Sequence, residues 1–285
     1  MSLPGRPQGD HRQAPPESTS VSDTLLNDAR IALACLDLTS LNDGDTPAAI
    51  SALAAKAASP AGRPAALCVW PRFVAQARAE APAGVAVAAV ANFPDGSADG
   101  ARAVADTQAI VAAGGDEVDL VLPWRALMAG DAAGAAAVVQ AVVGAVRAAG
   151  PGKRLKLIIE SGELASPALI AQASDIGLAA GVDFLKTSTG KTATGATPEA
   201  ARVMLQAIAR HQAAHPDAPR VGFKASGGVR TVADAAVYIA LVRETLGEAA
   251  LNPHQLRFGA SGLLGDIERV LTGAGAGNTA APGSY

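Results

Sequence analysis

Two short stretches decide the fold of this 285-residue chain: residues 182–191 read VDFLKTSTGK, and residues 221–230 read VGFKASGGVR. Each stretch opens with an apolar run of strand type, reaches a lysine and continues into a glycine-containing loop. The segment between them, 197–211, has helical length and opens with Thr197-Pro198, where a capping hydroxyl precedes a first-turn proline. Together they predict a strand–helix–strand unit with parallel strands.

The same alternation runs through most of the chain, with turn residues between the segments. The predicted strands are 31–38, 66–70, 85–92, 117–123, 155–160, 182–187, 221–226 and 257–261. The predicted helices are 46–58, 71–79, 97–113, 131–149, 166–180, 197–211, 231–246 and 262–272. Thr46 and Ser166 repeat the arrangement of a capping hydroxyl before a proline. Eight such units in about 250 residues predict a single-domain α/β protein with the (β/α)8 TIM barrel fold.

A doubly wound open sheet is the alternative fold. It usually carries a glycine-rich dinucleotide fingerprint after its first strand, and the chain has none there. We therefore expect one barrel domain over residues 23–272. A disordered N-terminal extension (1–22) and a flexible C-terminal tail (273–285) ending in Tyr285 are expected to flank it.

Composition excludes several classes of function. The net charge is −3 and no strongly basic segment is present, which argues against a nucleic-acid partner. The hydrophobic content of 49% is too high for a disordered chain. The N-terminus lacks the apolar run of a secretory signal, and the longest apolar stretch is too interrupted to cross a membrane. With two cysteines, Cys35 and Cys68, a reducing cytoplasm is expected.

The two lysines of the opening stretches, Lys186 and Lys224, end consecutive predicted strands. Neighbouring strands of a barrel lie about 4.8 Å apart, so the two ammonium groups are expected to be close. Two cations in a dry cavity lower each other's pKa, and a neutral lysine attacks carbonyl groups to form a Schiff base. The alternative is that each lysine simply ends its strand in solvent.

Asp119 lies in the predicted strand EVDLVL at residues 117–122. Alternation puts Asp119 and Val121 on one face and the three remaining apolar residues on the other, which should pack on the helices. Asp119 would then point into the barrel and need a cation partner there. It could shuttle protons for a reaction or form a structural ion pair; the sequence leaves both open.

Two glycine-containing loops follow consecutive strands: residues 226–231 read SGGVRT, and residues 259–262 read GASG. In barrel enzymes the loops at this place commonly hold a phosphate group, because backbone N–H groups and a helix N-terminus face the anion. Arg230 and Ser261 add side-chain donors, and residues 187–191 could form another wall. The alternative is a pair of tight turns.

No metal and no cofactor is expected. The four histidines have no metal-ligand spacing to a cysteine or carboxylate partner, and the chain has neither a Walker loop nor a nucleophile elbow.

Nine motifs occur in an order that resembles the deoxyribose-phosphate aldolase family. They lie between residues 31 and 271, and Tyr285 adds a C-terminal tyrosine. The motifs are LDLTSLND (36–43), CVWPRF (68–73), NFPDG (92–96), DEVD (116–119), RALMAG (125–130), IESGEL (159–164), FLKTSTGK (184–191), GFKASGGVR (222–230) and RFGAS (257–261).

The resemblance implies a metal-independent class I aldolase, a lyase of deoxyribose and deoxynucleoside catabolism. It would cleave 2-deoxy-D-ribose 5-phosphate reversibly to D-glyceraldehyde 3-phosphate and acetaldehyde. Lys186 matches the family's Schiff-base lysine, and Lys224 matches the second lysine, which lowers the pKa of the first. Asp119 matches the carboxylate of the proton relay. Asp37 matches an aspartate that holds substrate hydroxyls or the lysine network, and Tyr285 a mobile tyrosine that assists proton transfer.

The resemblance also implies a substrate and phosphate site. It comprises Thr39, Thr189, Gly190, Lys191, Gly227, Gly228, Val229, Arg230, Gly259 and Ser261. Gly262 stands where relatives often carry a second serine, so one hydroxyl donor is absent. The implied partners are small sugar phosphates and aldehydes, and analogy with the family indicates a homodimer.

Two rival functions stay open at this point. One is another Schiff-base enzyme on the same barrel, such as a transaldolase-like aldolase that prefers a longer donor than acetaldehyde. The other is a non-catalytic sugar-phosphate binding protein. Loss of Lys186, Lys224 or Asp119 would favour the binding protein, and all three are present.

Overall fold

The computed structural model describes residues 21–273. Eight parallel strands follow one another around a closed barrel, and the first pairs with the last. The strands are β1 (Leu36–Thr39), β2 (Ala66–Val69), β3 (Ala86–Ala91), β4 (Glu117–Val121), β5 (Arg154–Ile158), β6 (Phe184–Lys186), β7 (Gly222–Ser226) and β8 (Leu256–Ala260). The predicted (β/α)8 TIM barrel is thereby confirmed. The predicted extension and tail lie almost entirely outside the described residues, so both stay predictions.

Helices connect the strands and surround the barrel. They are α1 (Val21–Ala34), α2 (Pro47–Lys56), α3 (Val74–Glu80), α4 (Gly100–Ala112), α5 (Trp124–Met128), α6 (Ala132–Ala148), α7 (Ser161–Leu164), α8 (Pro167–Ala180), α9 (Pro198–Ala214), α10 (Val232–Leu246) and α11 (Leu263–Thr272). Short 3₁₀ turns precede α3 and β8. Within residues 21–273, no helix is both long and apolar enough to cross a membrane.

At the start of the barrel, the predicted bounds of the first strand are wrong. Residues 31–34 were assigned to the first strand, but they form the last turn of α1, and β1 begins only at Leu36. On α1, the buried residues Ala29, Ala32 and Leu33 recur at helical spacing and place one face against α10 and α11. The helix therefore packs against two outer helices rather than entering the sheet.

Two of the three predicted helix caps are present. The Thr46 hydroxyl accepts a hydrogen bond from the backbone N–H of Ala49, and Thr197 caps α9 in the same way. The Ser166 side chain makes no such bond at the start of α8, so that cap was wrongly predicted. At α10, Thr231 and Asp234 form a full capping box, which fixes the loop after β7 to the helix that follows it.

The interior of the barrel is charged on one side and filled by small residues on the other. A TIM barrel is usually packed with branched apolar side chains. Here the buried interior includes a cluster of charges contributed by six strands, whereas β2 and β3 carry only uncharged residues, among them five alanines and Cys68. The charged cluster is Asp37, Glu117, Asp119, Lys156, Lys186, Lys224 and Arg257. Because burying charges is unfavourable unless they are paired, this cluster marks the candidate site.

Candidate active site

Lys186 and Lys224 are brought together as the strand order predicts. They are register partners on β6 and β7. Their Nζ atoms lie 2.7 Å and 2.8 Å from the same oxygen, Oδ2 of Asp119. Both lysines are buried, so neither ends its strand in open solvent. A shared carboxylate oxygen places two amines within proton-transfer distance of one acceptor.

Asp119 lies in the barrel interior, as alternation along β4 predicts. It is fully buried, and its two oxygens contact three lysines: Oδ2 accepts from Lys186 and Lys224, and Oδ1 accepts from Lys156 at 2.8 Å. Burial alone would raise the pKa of the Asp119 carboxyl, but the surrounding ammonium groups hold that pKa well below its usual range. The carboxylate is therefore ionised at neutral pH.

The two lysines differ in acidity. Burial lowers the pKa of Lys186, and the nearby Lys224 ammonium lowers it further, against the opposing pull of Asp119. Burial also favours a neutral Lys224, but Asp119 and Asp37 outweigh it and raise the pKa of Lys224. The expectation that both lysines would become more acidic is thus met only at Lys186. A lowered pKa makes an amine more available as a nucleophile, whereas a raised pKa favours the charged form of Lys224.

Asp37 belongs to the charged cluster and has no exposed surface. Its Oδ2 accepts from Lys224 at 2.5 Å, and its Oδ1 accepts from Arg257 at 2.5 Å. These cations hold the pKa of Asp37 below its ordinary value despite burial. Of the two roles that the resemblance offers for Asp37, this geometry favours the lysine network over contact with substrate hydroxyls.

Three charged residues of the cluster were not singled out from the sequence: Lys156, Glu117 and Arg257. Lys156 donates to Asp119 and lies 2.6 Å from Oε2 of Glu117. Arg257 binds both oxygens of Glu117, at 3.0 Å and 2.7 Å. The signal was present as alternation: Lys156 stands between Leu155 and Leu157, so it lies on the face of the strand opposite to these two apolar residues.

A cavity of about 410 Å³ opens at the carboxyl ends of the strands. Its lining contains all ten residues predicted for the substrate and phosphate site: Thr39, Thr189, Gly190, Lys191, Gly227, Gly228, Val229, Arg230, Gly259 and Ser261. Gly262 lines it as well. The loops after β1, β6, β7 and β8 therefore converge on one space, which fits an anion bound by backbone N–H groups and by the Arg230 and Lys191 cations.

At two positions of this cavity, the backbone conformation or the surrounding atoms require glycine. Gly227 has φ +82°, and a Cβ there would lie 3.0 Å from Cα of Gly195, so the turn after β7 needs glycine. At Gly259, a Cβ would lie 2.6 Å from Oγ of Ser226 and 3.0 Å from Cε of Lys224. The missing side chain of Gly259 thus leaves room for Lys224, a role beyond phosphate binding.

Glu160 fixes one wall of the cavity. Its buried carboxyl accepts a 2.6 Å hydrogen bond from the Thr189 hydroxyl and a longer one from Thr192. Its backbone has φ +54°, an uncommon conformation for a non-glycine residue. Burial raises the pKa of Glu160. The residue ties the end of β5 to the loop after β6, which carries Thr189, Gly190 and Lys191.

Tyr285 lies outside the described residues, so its predicted role stays a prediction. Across residues 21–273, no group of three or more His, Cys, Asp or Glu side chains is arranged to hold a metal ion. The cations of the site are side chains, and the chemistry that this arrangement offers is that of an amine and a carboxylate beside a cavity suited to an anion.

Comparison with known proteins gives one family. The family model described as DeoC/LacD family aldolase matches residues 31–264. A deoxyribose-phosphate aldolase of Agrobacterium fabrum is 46% identical over 247 residues, which are 86% of this chain and 92% of that protein.

Solved structures show the same barrel. A Toxoplasma gondii ME49 protein assigned as a deoxyribose-phosphate aldolase superposes with a TM-score of 0.78 at 23% identity, covering 91% of this chain and 99% of that one. The deoxyribose phosphate aldolase of Aeropyrum pernix, described as a unique tetramer, superposes with a TM-score of 0.67 at 21% identity, covering 89% of this chain and 98% of that one. At these identities the likeness concerns the fold alone.

Proposed function

The chain belongs to the DeoC/LacD family of aldolases, and on that premise we propose that it cleaves 2-deoxy-D-ribose 5-phosphate reversibly to D-glyceraldehyde 3-phosphate and acetaldehyde through a Schiff base on Lys186. The observation that carries the proposal is the position of Lys186. It is a buried, acidified amine next to a second lysine and an ionised carboxylate, at the barrel end where the phosphate-type cavity opens.

The site offers a place for each end of the substrate, the phosphate and the aldehyde. The phosphate would bind between the loops after β7 and β8, and the C1 aldehyde would reach Lys186 at the end of β6. Acetaldehyde takes two carbons, so the bond that breaks is C2–C3. Holding the phosphate and fixing C1 covalently aligns this bond for cleavage.

The steps balance with the groups present. The neutral amine of Lys186 adds to C1, and loss of water with uptake of one proton from the proton carriers leaves a protonated imine. A base removes the C3 hydroxyl proton, the C2–C3 electron pair moves into the imine, and D-glyceraldehyde 3-phosphate leaves. The remaining enamine takes a proton at C2, and water then hydrolyses the imine to acetaldehyde and free Lys186. Asp119, Lys224 and a water molecule are the proposed proton carriers.

Borohydride trapping tests this function directly. Reduction in the presence of 2-deoxyribose 5-phosphate, followed by peptide mass spectrometry, is expected to give an adduct on Lys186. An adduct on Lys224 instead would exchange the roles of the two lysines. Absence of both adduct and cleavage would contradict an aldolase function.

Donor competition separates this substrate from the other aldolase reactions. With D-glyceraldehyde 3-phosphate as acceptor, acetaldehyde is expected to be the preferred donor. A clear preference for a three-carbon or longer donor would instead support the transaldolase-like alternative.

Replacing Arg230 with alanine is expected to raise KM for 2-deoxyribose 5-phosphate about tenfold and to change kcat little. Arg230 lines the cavity, and a charge-assisted hydrogen bond to phosphate contributes roughly 1.5–3 kcal/mol, less where the side chain is exposed. Cleavage of unphosphorylated 2-deoxyribose is the control, because that substrate has no phosphate to lose contact with. An equal loss for both substrates would place Arg230 outside the phosphate site.

Replacing Tyr285 with phenylalanine is expected to slow exchange of the acetaldehyde methyl protons with solvent by about 10²-fold, the lower end of general acid–base contributions. Proton exchange is followed by NMR in D₂O, and inhibition by inorganic phosphate reports binding of the anion. The exchange should slow far more than phosphate binding weakens. Equal losses would indicate that the tyrosine has no part in proton transfer.

Two further expectations belong to this proposal. Cys35 and Cys68 are both free thiols buried in the barrel, which supports the reducing cytoplasm as the location. We retain the homodimer as the proposed assembly, and sedimentation of the full chain tests it.

A further inference from the structure

A layer of charge below Lys186 has no part in the proposed chemical steps. It consists of Lys156, Glu117 and Arg257, and each is at most 3% exposed. Burying three charges is unfavourable unless their contacts offset the desolvation, and apolar residues usually fill this part of a barrel. The contacts that these three side chains make therefore indicate their role.

Lys156 contacts one oxygen of the Asp119 carboxylate, and Lys186 and Lys224 contact the other. The Lys156 Nζ donates to Oδ1 at 2.8 Å, which leaves Oδ2 to the two lysines above. The same Nζ lies 2.6 Å from Glu117 and 3.3 Å from Asp37. Three carboxylates from two strands thus fix one ammonium group, and that group fixes the rotation of the Asp119 carboxylate.

Arg257 anchors the layer from β8. Its guanidinium binds both oxygens of Glu117 and also Oδ1 of Asp37. A bidentate pair of this kind holds the planes of both groups, so Glu117 is oriented toward Lys156. The order of support runs from Arg257 through Glu117 and Lys156 to Asp119.

The charge count of the cluster explains why a third lysine matters. Four cations face three carboxylates, so with every group ionised the cluster has one surplus positive charge. A neutral Lys186 removes that surplus. Without Lys156, three cations would face three carboxylates, and a protonated Lys186 would complete the balance.

We propose that Lys156, oriented by Glu117 and Arg257, is a positioning residue that aims Asp119 and supplies the surplus cation which keeps Lys186 in its neutral, nucleophilic form. This inference rests on the proposed Schiff-base function. In this inference, buried residues outside the proposed proton relay determine the fraction of enzyme molecules in which Lys186 is neutral, and therefore reactive, at neutral pH.

Four other titratable groups contact Lys186 or act on it electrostatically. Asp119 of β4 and Lys224 of β7 contact it or share its acceptor. The Cys68 thiol of β2 and the Glu160 carboxyl after β5 also face it electrostatically. Burial raises the pKa of both the thiol and the Glu160 carboxyl, so the thiol is neutral and neither replaces the Lys156 cation.

The test is the pH dependence of borohydride trapping on Lys186 in a Lys156→Met variant. Trapping rates are measured with 2-deoxyribose 5-phosphate from about pH 6 to about pH 10, around the range of a depressed lysine. The rise of the rate with pH is expected to move about one unit toward alkaline pH, so trapping near neutral pH falls about tenfold and recovers as pH increases. A loss of structure alone would lower the rate without moving the profile.

Three variants complete the test. Lys156→Arg keeps the cation and should retain a profile close to wild type. Lys156→Met combined with Glu117→Gln restores one surplus cation, should move the profile back toward wild type, and guards against misfolding of the single variant. Lys153→Met removes a lysine that pairs with Asp116 outside the cluster, and should change nothing.

A wild-type profile in folded Lys156→Met protein would overturn the inference. So would an alkaline shift of the profile in both Lys156→Arg and the double variant. The proposed function fails separately, through absence of an adduct on Lys186 in the wild-type protein.

Discussion

A Lys186→Met variant is expected to lose aldol cleavage by at least about 10⁴-fold, the scale seen when a covalent nucleophile is removed. Methionine has a similar length and fills the same space, but it cannot form an imine. Asp119 keeps two of its three lysine partners, so its charge remains paired. Cleavage of 2-deoxyribose 5-phosphate is measured together with borohydride trapping, which should give no adduct.

The same variant is expected to be at least as resistant to unfolding as the wild type. The pKa of Lys186 is lower in the folded protein than in the unfolded chain, because burial and Lys224 disfavour its charge. Such a group lowers stability increasingly as pH falls from its ordinary pKa of about 10.4 to the folded-state pKa, and by its full amount below that. Replacing it removes this penalty, so the thermal midpoint at neutral pH should stay level or rise.

A matched control is Lys56→Met, which removes an exposed lysine at the end of α2. It should retain full activity and an unchanged thermal midpoint. If Lys186→Met kept activity near that of Lys56→Met, the assignment of the nucleophile would be wrong.

The barrel itself could be predicted because each unit repeats the same local pattern. Short apolar runs and capped, alanine-rich helices alternate, and that order determines a parallel closed sheet. The error at residues 31–34 has a local cause. Only Cys35 separates α1 from β1, and no glycine or proline marks the boundary, so helix and strand read as one apolar run.

The reactive part of the site could also be predicted, because it depends on neighbouring strands. Lys186 and Lys224 are in register across one β6–β7 ladder, and Asp119 faces inward by simple alternation. In the supporting layer, Lys156 is the register partner of Asp119 and also follows alternation, whereas the position of Arg257 depends on closure of the barrel. Arg257 meets Asp37 because β8 pairs with β1, a contact that spans most of the chain and has no local signature.

The closeness of Lys186 and Lys224 alone could not predict that their pKa values shift in opposite directions. Both lysines share Asp119, but Lys224 also contacts Asp37, and this second carboxylate reverses the effect of burial. The opposite shifts of the two pKa values therefore depend on which carboxylates the closed barrel places beside each amine.

Replacing Asp119 with asparagine is expected to lower turnover by about 10²–10⁴-fold and to destabilise the fold by roughly 3–5 kcal/mol. An amide keeps the shape but loses the charge that three lysines share. It also turns an N–H₂ donor toward ammonium donors. The relay carboxylate is lost to the chemistry, while the phosphate cavity is untouched, so inhibition by inorganic phosphate should persist.

The pH dependence of unfolding distinguishes a loss of charge pairing in Asp119→Asn from a general loss of packing. In the wild type the pKa of Asp119 is depressed, so its contribution to stability is present above about pH 4 and is lost as pH falls through the folded value. In Asp119→Asn that acid-dependent part should be absent. The deficit should instead shrink toward alkaline pH, as the unpaired lysines lose their protons. Urea unfolding across pH measures both slopes.

Asp116→Asn provides the matched comparison, because Asp116 is a partly exposed carboxylate that pairs with Arg78 and Lys153 beside the barrel. Screening by solvent limits that pair to about 1 kcal/mol, and activity should be unchanged. If the two variants lost the same stability with the same pH dependence, the buried cluster would contribute no more than a surface ion pair. Its charges would then need another explanation than stability, since apolar residues would fill the barrel equally well.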